Sequence, residues 1–278
     1  MLPYLRVFGL ALPSYPTLIL AGLLTVWLLI VQRTRRLGWP TDGVVMILLC
    51  AFPAGAIGGR LLAWATEAVL SGGVGGGGYA GMTVLGSILG SLSFAAIAVP
   101  RWVRVGTLEF LDAVAFSMPM ALVFGRLGCL ALGCCHGSPA PVDAPAWLTV
   151  DLASHAPGTA PLVLFDGHAV ASVWNLPLLF VIQEAAIAGV VELHYRRTRD
   201  WAPAGATAGL CLGLDACGRA WIEGFRGGMW SLDGGANPWA ALTWVYVAVA
   251  VVGNLWIWAR GWPVRRRDAS AEARSPAT

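Results

Sequence analysis

The sequence predicts an all-α integral membrane protein of seven transmembrane helices. Its N-terminus is expected outside and its C-terminus in the cytoplasm, with an arm on the outer face between spans 4 and 5. Three observations carry this. The 278 residues are 57% hydrophobic and 12% charged, against roughly 25% charged in a soluble domain. Apolar stretches long enough to cross a bilayer, which takes about 20 residues, recur seven times along the chain. All eighteen basic residues are arginine, and thirteen of them fall in alternate connections, which orients the chain by the positive-inside rule.

The first span is expected over residues 15–32, with Arg6 before it and Arg33, Arg35 and Arg36 after it. That charge order is the reverse of a cleavable signal, so the segment is expected to remain as an anchor. The second span, 44–65, contains Pro53, and no arginine follows it in the connection 68–80. Within that connection the Gly-rich run 71–78 has almost no side chains to pack. The third span, 81–99, is followed by Arg101 and Arg104. The fourth, 108–132, is interrupted by Pro119, which a membrane helix tolerates where neighbours take up the freed backbone groups. The loop 138–171 is rich in Pro and Ala and has no arginine; it forms the expected outer-face arm. The fifth span, 173–193, is diluted by Gln183, Glu184 and Glu192 and leads to Arg196, Arg197 and Arg199. The sixth, 204–223, ends just before Arg226. The seventh, 240–258, precedes Arg260, Arg265, Arg266, Arg267 and Arg274. Residues 1–260 thus form one seven-span membrane domain, and 261–278 are expected to be a disordered cytoplasmic tail. No internal repeat is visible, which weighs against the transporter folds built from repeated halves.

The most informative stretch is Phe124-Gly-Arg-Leu-Gly-Cys-Leu-Ala-Leu-Gly-Cys-Cys-His136-Gly137. An arginine near the end of a membrane helix is costly and needs a partner. Arg6, Arg60, Arg126, Arg219 and Arg226 all have acidic residues available for structural ion pairs (Glu67, Asp112, Glu184, Asp215 and Glu223), a reading that suits Arg60 and Arg219 better than Arg126 and Arg226. Arg126 and Arg226 lie near the outer face, each beside glycines, where a basic group on open backbone suits an anionic headgroup. Glu223 stands one turn from both Arg219 and Arg226 and can orient either. Tyr15, at the outer interface, either donates to a headgroup or anchors its helix. Cys129, Cys134 and Cys135 admit three readings: small packing residues, a disulfide on an oxidising side, or a metal site, although their spacing matches no common one. His136 is either a base titrating near neutral pH or a side chain capping the helix end.

These residues carry a resemblance to the prolipoprotein diacylglyceryl transferase family. Pro13-Ser-Tyr15 resembles the family's tyrosine before the first helix, and Gly59-Arg60-Leu61 its Gly-Arg-Leu at the end of the second. Gly81-Met-Thr-Val-Leu-Gly86-Ser-Ile-Leu-Gly90 is similar to its glycine-rich third-helix run, with Leu85 where the family has histidine. Gly125-Arg126-Leu-Gly128 opens its most distinctive motif and Gly137 closes it. Inside that motif Cys129 stands at the family's asparagine, Cys134 at its glutamate, and Ser138 at the arginine that follows. Gln183-Glu184 resembles its Tyr-Glu pair, and Arg219-x-x-x-Glu223-x-x-Arg226 its Arg-x-x-x-Glu-x-x-Arg.

The resemblance implies an enzyme of the bacterial inner membrane. It would move a diacylglyceryl group from phosphatidylglycerol to the lipobox cysteine thiol of a preprolipoprotein, releasing glycerol phosphate. Arg126, Arg226, Glu223 and His136 are then the expected catalytic residues. Tyr15, Arg60, Gly86, Gly125, Gly128, Cys129, Gly137, Glu184 and Arg219 are expected to bind substrate. Gly86 and Gly90 would line the lipid cavity, or simply let two helices pack closely. The expected partners are phosphatidylglycerol, preprolipoprotein signal peptides and membrane lipids. No nucleic acid, cofactor or metal is expected, and the protein is expected to be a monomer. Leu85 keeps an alternative open: a silent or re-purposed paralogue that binds phospholipid without modifying lipoproteins.

Overall fold

The computed structural model describes residues 4–7, 9–70, 83–141, 143–151, 164–165, 168–169, 172–225 and 238–272. Among these the chain begins with the hairpin β1 (Tyr4–Val7) and β2 (Leu10–Pro13). It continues through α1 (Ser14–Arg36), α2 (Thr41–Leu70), α3 (Val84–Trp102), α4 (Thr107–Val114) and α5 (Ser117–Leu132). A 3-10 turn at Ala146–Leu148 leads to β3 (Thr149–Asp151), β4 (Leu164–Phe165), β5 (His168–Ala169) and β6 (Ser172–Trp174). The helices α6 (Leu176–Thr198), α7 (Ala206–Glu223) and α8 (Pro238–Glu272) follow.

Each predicted span coincides with helix, and the differences at the ends have local causes. Thr83 caps α3, its Oγ1 accepting from Gly86 N at 3.2 Å, so the helix starts at Val84. Asn175 caps α6 by accepting from Leu178 N at 3.3 Å, and Pro177 occupies the first turn, where its missing N–H costs nothing. Val173 consequently belongs to β6 instead of the helix. Beyond Arg260 the backbone of α8 continues to Glu272, where the sequence predicts an irregular tail.

The count of spans differs more. Among the described residues five helices are long and apolar enough to cross a membrane, and a sixth if α4 and α5 together make one span. Helix α7 is outside that set, because Asp215, Arg219 and Glu223 fall within its eighteen residues. The fourth predicted span is broken just upstream of Pro119. A proline there has no N–H to return to the carbonyl of Ala115, and its ring presses on that oxygen. Helix α4 therefore ends at Val114 and α5 starts at Ser117, with Pro119 buried in its first turn. The freed Ala115 oxygen accepts instead from the Cys211 thiol at 3.4 Å. By contrast α2 runs unbroken through Pro53.

The chain divides into two compact units. In Trp27–Ala113 the helices α2 and α3 pack with almost no side chain between them. A Cβ on Gly86 would meet the Gly58 carbonyl and Leu62, and one on Gly58 would lie 2.8 Å from the Gly90 Cα. Thr83 Oγ1 donates to Gly59 O at 3.3 Å and Ser91 Oγ to Ala51 O at 3.1 Å across the same seam. Small residues and interhelical hydrogen bonds are what hold helices together where lipid removes the hydrophobic driving force. Arg33 closes this unit, its Nη1 donating to Ala113 O at 2.9 Å.

The second unit comprises Met1–Val26 and Val114–Thr278. Its core is Leu176, Phe180 and Ile222, flanked by Trp174, Leu179 and Phe225. Asn254 Nδ2 joins α8 to α7 through Gly209 O at 2.8 Å. The predicted arm is rooted here on an antiparallel pair, Thr149 opposite Trp174 and Asp151 opposite Ser172; half of its length lies outside the described residues. Large apolar side chains point outward along its long helices, with Leu20 56%, Val252 65% and Leu255 66% exposed. That pattern suits hydrocarbon and not water.

Candidate functional site

The polar centre of the second unit is assembled from four helices. On α7, Asp215 and Arg219 are four residues apart and share a face. The Arg219 Nε donates to both carboxylate oxygens of Asp215, at 3.0 Å and 2.9 Å. From α8 the Tyr246 hydroxyl donates to Asp215 Oδ2 at 2.8 Å. From α6 comes Glu184, fully buried, whose Oε1 accepts from Gln183 Nε2 at 3.4 Å. Its Oε2 has no hydrogen-bond partner among the described residues. One turn earlier on α6, the Phe180 ring supports two guanidinium groups: Arg126 from α5, 4.0 Å from the ring centroid, and Arg219, 5.6 Å from it. A charge buried at this depth persists only when paired and hydrogen-bonded, and Asp215 supplies the pairing for Arg219.

The Gly/Cys-rich stretch surrounds Arg126. Gly128 is buried against the Tyr15 ring; a Cβ there would lie 2.9 Å from Tyr15 Cδ2. Helix α5 ends on Gly133 at φ +74°, whose N–H and that of Cys134 both return to Cys129 O, at 2.8 Å and 3.1 Å. Cys135 follows at φ +63°, a left-handed conformation that costs a non-glycine residue roughly 1–2 kcal/mol. The double reversal folds Cys134 and Cys135 back towards Cys129, and the three sulfurs lie within 4.8 Å of one another. Cys129 is buried, Cys134 half-buried and Cys135 exposed. Hydrogen bonding to Cys129, then to Cys135, together with burial, pushes the Cys134 thiol above its usual range. Both Arg126 and Tyr15 are close enough to interact electrostatically with the cluster.

His136 is buried with Nε2 2.9 Å from Gly133 O. A carbonyl only accepts, so that nitrogen carries its proton and the ring caps the helix end. Gly137 N donates to Trp174 O at 2.8 Å and Ser138 N to Phe225 O at 2.9 Å. A Cβ on Gly137 would sit 2.6 Å from the Phe225 carbonyl. The end of the motif is therefore stitched to the start of α6 and the end of α7 by a residue that has to be glycine.

The structure thus brings Tyr15, Arg126, Gly128 and Cys129 together, and places Glu184 and Arg219 near Phe180. Gly125 has nothing within 4 Å of where its Cβ would stand. Glu223 is the last residue of α7 and half-buried. Arg226 lies outside the described residues. Arg60, exposed on α2, and Gly86, in the α2–α3 seam, belong to the other unit. Sequence reasoning overlooked Phe180 and Tyr246, which look like ordinary apolar-helix aromatics. Asp215 was legible only as one of several possible partners, although its i,i+4 spacing to Arg219 is the available signal.

Long apolar helices with outward-facing leucines and valines, and four helices that meet at a buried acid–arginine centre within one unit, define a polytopic helical membrane protein. The chain belongs to the prolipoprotein diacylglyceryl transferase family, whose pattern it matches over residues 3–258. It is 29% identical over 145 residues to a phosphatidylglycerol–prolipoprotein diacylglyceryl transferase of Clostridium tetani, covering 48% of this chain and 55% of that one. It is 29% identical over 143 residues to phosphatidylglycerol–prolipoprotein diacylglyceryl transferase 2 of Clostridium perfringens, with 48% and 53% covered. A Clostridioides difficile relative described in the same words is 23% identical over 224 residues, 79% of this chain and 81% of its own length. The chain thus spans about half the length of the first two relatives, which are the more similar in sequence.

Proposed function

We infer that this protein is a phosphatidylglycerol–prolipoprotein diacylglyceryl transferase of the bacterial inner membrane, with its N-terminus outside and α7 completing seven spans. The observation that carries this is the placement of Arg126, half-buried on α5 with its guanidinium against Phe180, within the family's Gly-Arg-x-Gly motif. A lipobox thiolate attacks the glyceryl carbon next to the phosphate ester. The carbon–sulfur bond forms, the carbon–oxygen bond breaks, and glycerol phosphate leaves as an anion. A guanidinium on the phosphate oxygens stabilises that leaving charge, and arginine does so bidentately. Arg126 takes this part, with Arg226 and Glu223 as its proposed partners. Tyr15, Gly125, Gly128 and Gly137 shape the headgroup site. Glu184 and Arg219 belong to the buried centre that supports it. Arg60 and Gly86 remain proposed contacts for the lipid. Preprolipoprotein signal peptides are the proposed second substrate, and the protein works as a monomer.

The deciding experiment is complementation of a cell depleted of its own transferase. Rescue by the native chain and loss of rescue in Arg126→Ala, at equal membrane insertion, are expected. Full rescue by Arg126→Ala would remove the headgroup clamp. A second reading is favoured by Leu85, which stands in the first turn of α3 where the family has histidine: a phospholipid-binding paralogue without transfer activity. Failure of the native chain to complement, with phosphatidylglycerol co-purifying, supports that one. Gain of transfer in Leu85→His would place the lost chemistry at that position.

A further inference from the structure

The thiol acceptor in the proposed reaction must lose its proton, because the thiolate is the nucleophile. This chain has Leu85 at the family's histidine position, and His136 donates from Nε2 to Gly133 O while its basic nitrogen, Nδ1, is buried. What it has instead is a cluster of three thiols at the end of α5. Cys129, Cys134 and Cys135 bring their sulfurs within 4.8 Å of one another. In a tetrahedral zinc–thiolate site the metal–sulfur bond is about 2.3 Å, which places neighbouring sulfurs roughly 3.8 Å apart. The cluster therefore needs to close by about an ångström to hold the ion.

We propose that Cys129, Cys134 and Cys135 form a three-thiolate zinc site whose fourth position takes the acceptor thiol of the substrate protein, a reading that rests on the transferase function above. Three protein ligands with one open position is the arrangement of catalytic zinc, whereas structural sites close all four. A thiol bound to zinc is deprotonated outright. Its proton goes to solvent, its sulfur keeps the electron pair that attacks the glyceryl carbon, and the glycerol phosphate anion departs. No electron is gained or lost, so no oxidant or reductant is needed.

The geometry supports an open site. Cys129 is buried at the bottom and Cys135 is exposed at the top, so the fourth position faces outward. The turn that makes the cluster is short and includes a left-handed residue that is not glycine, Cys135 at φ +63°. Tyr15 lies within electrostatic reach of all three sulfurs, and Arg126 of Cys129. A thiolate held there and a phosphate on Arg126 would be neighbours. Zinc is preferred over Cu(I), since three thiolates satisfy Cu(I) without a substrate, while zinc seeks a fourth donor.

The test uses the full-length protein in detergent, reduced and stripped with a chelator, then titrated with Zn(II) and with Co(II) as a spectroscopic substitute. One metal per chain is expected, with a thiolate-to-cobalt charge-transfer band that Cys129→Ser, Cys134→Ser and Cys135→Ser each weaken and Cys217→Ser leaves unchanged. Cys135→Ser, at an exposed position, guards against loss of folding. Adding a peptide with a lipobox cysteine should change the cobalt spectrum, while the same peptide with serine should not. A second assay measures transfer of labelled diacylglyceryl from phosphatidylglycerol vesicles. A stripped, reduced protein that transfers at the full rate overturns the zinc site and leaves the transferase standing. A cobalt spectrum indifferent to the thiol peptide, a closed Cu(I) site, or a Cys129–Cys134 disulfide in protein purified without oxidant also overturns it. A thiol peptide that enters the cobalt sphere with no transfer upholds the site and sinks the transferase.

Discussion

The guanidinium of Arg126 rests 4.0 Å from the centroid of the Phe180 ring, and the same ring lies 5.6 Å from Arg219. One aromatic on α6 thus positions arginines from α5 and α7. Contact with an aromatic face satisfies part of a guanidinium's charge while leaving its fork of N–H donors free to turn towards an anion. Phe180 is buried in the core beside Leu176 and Ile222, so it cannot yield when Arg126 is pulled by a ligand. Phe180→Leu keeps most of the core volume and removes the ring. It should raise the apparent KM for phosphatidylglycerol by roughly 2- to 30-fold, the equivalent of about 0.5–2 kcal/mol of cation–π contact. Transfer kinetics over a range of phosphatidylglycerol content would show this; an unchanged KM with a lower kcat would assign the ring to packing alone.

Arg219 and Asp215 form a buried ion pair in which both carboxylate oxygens are used. Removing one partner of such a pair leaves a charge in a low-dielectric interior, at a cost of about 3–5 kcal/mol. Asp215→Asn should therefore destabilise the protein by roughly that amount in thermal unfolding in detergent. Asp215→Leu with Arg219→Met should recover most of it. Tyr246→Phe removes one hydrogen bond to the carboxylate and should cost about 1–3 kcal/mol. If the double variant is stable yet fails to transfer, the pair has a role in the reaction beyond holding α7 and α8 together.

Much of this arrangement was legible in the sequence, and the exceptions have physical causes. Helices are local and apolar length reports them directly, so every predicted span coincides with helix. The break upstream of Pro119 was half visible: proline marked the place, but only the fold shows that Cys211, nearly a hundred residues on, takes up the Ala115 carbonyl. Arg126, Gly128 and Gly137 were legible because they stand in a motif. Their partners were not. Phe180, Tyr246 and the convergence of three sulfurs depend on which helix faces which, and a helix of apolar residues hides that choice. Charged residues also keep α7 out of a count by length and apolarity alone, since it carries Asp215, Arg219 and Glu223, and the first two neutralise one another inside the unit.

Gly125 and Gly128 flank Arg126 and differ in what surrounds them. A Cβ at Gly128 would press on the Tyr15 ring, whereas at Gly125 it would meet nothing within 4 Å. Gly128→Ala should destabilise by about 1–3 kcal/mol, as overpacking does, and displace Tyr15. Gly125→Ala should leave stability unchanged or raise it by up to about 1 kcal/mol, because alanine is the better helix former. The two are separated by thermal unfolding followed by transfer assays. Loss of transfer in a stable Gly125→Ala protein would mean that the open space is occupied by substrate.

The thiol cluster gives an order of chemical reactivity. In reduced, metal-free protein the exposed Cys135 should react first with a water-soluble maleimide. Cys134 should follow far more slowly: its thiol is held protonated by hydrogen bonding to Cys129 and Cys135 and by burial, and only the thiolate reacts. An ordinary cysteine, with a pKa of about 8.5, speeds up as pH rises from about 7 to 9. Cys134 should show that rise only at higher pH than an ordinary cysteine, since its pKa is raised. Cys129, buried under both, should label only on unfolding. Mass spectrometry of the tryptic peptides at several pH values reads all three sites at once, and equal labelling of Cys134 and Cys135 would mean that the turn at Gly133 does not hold the cluster closed in solution.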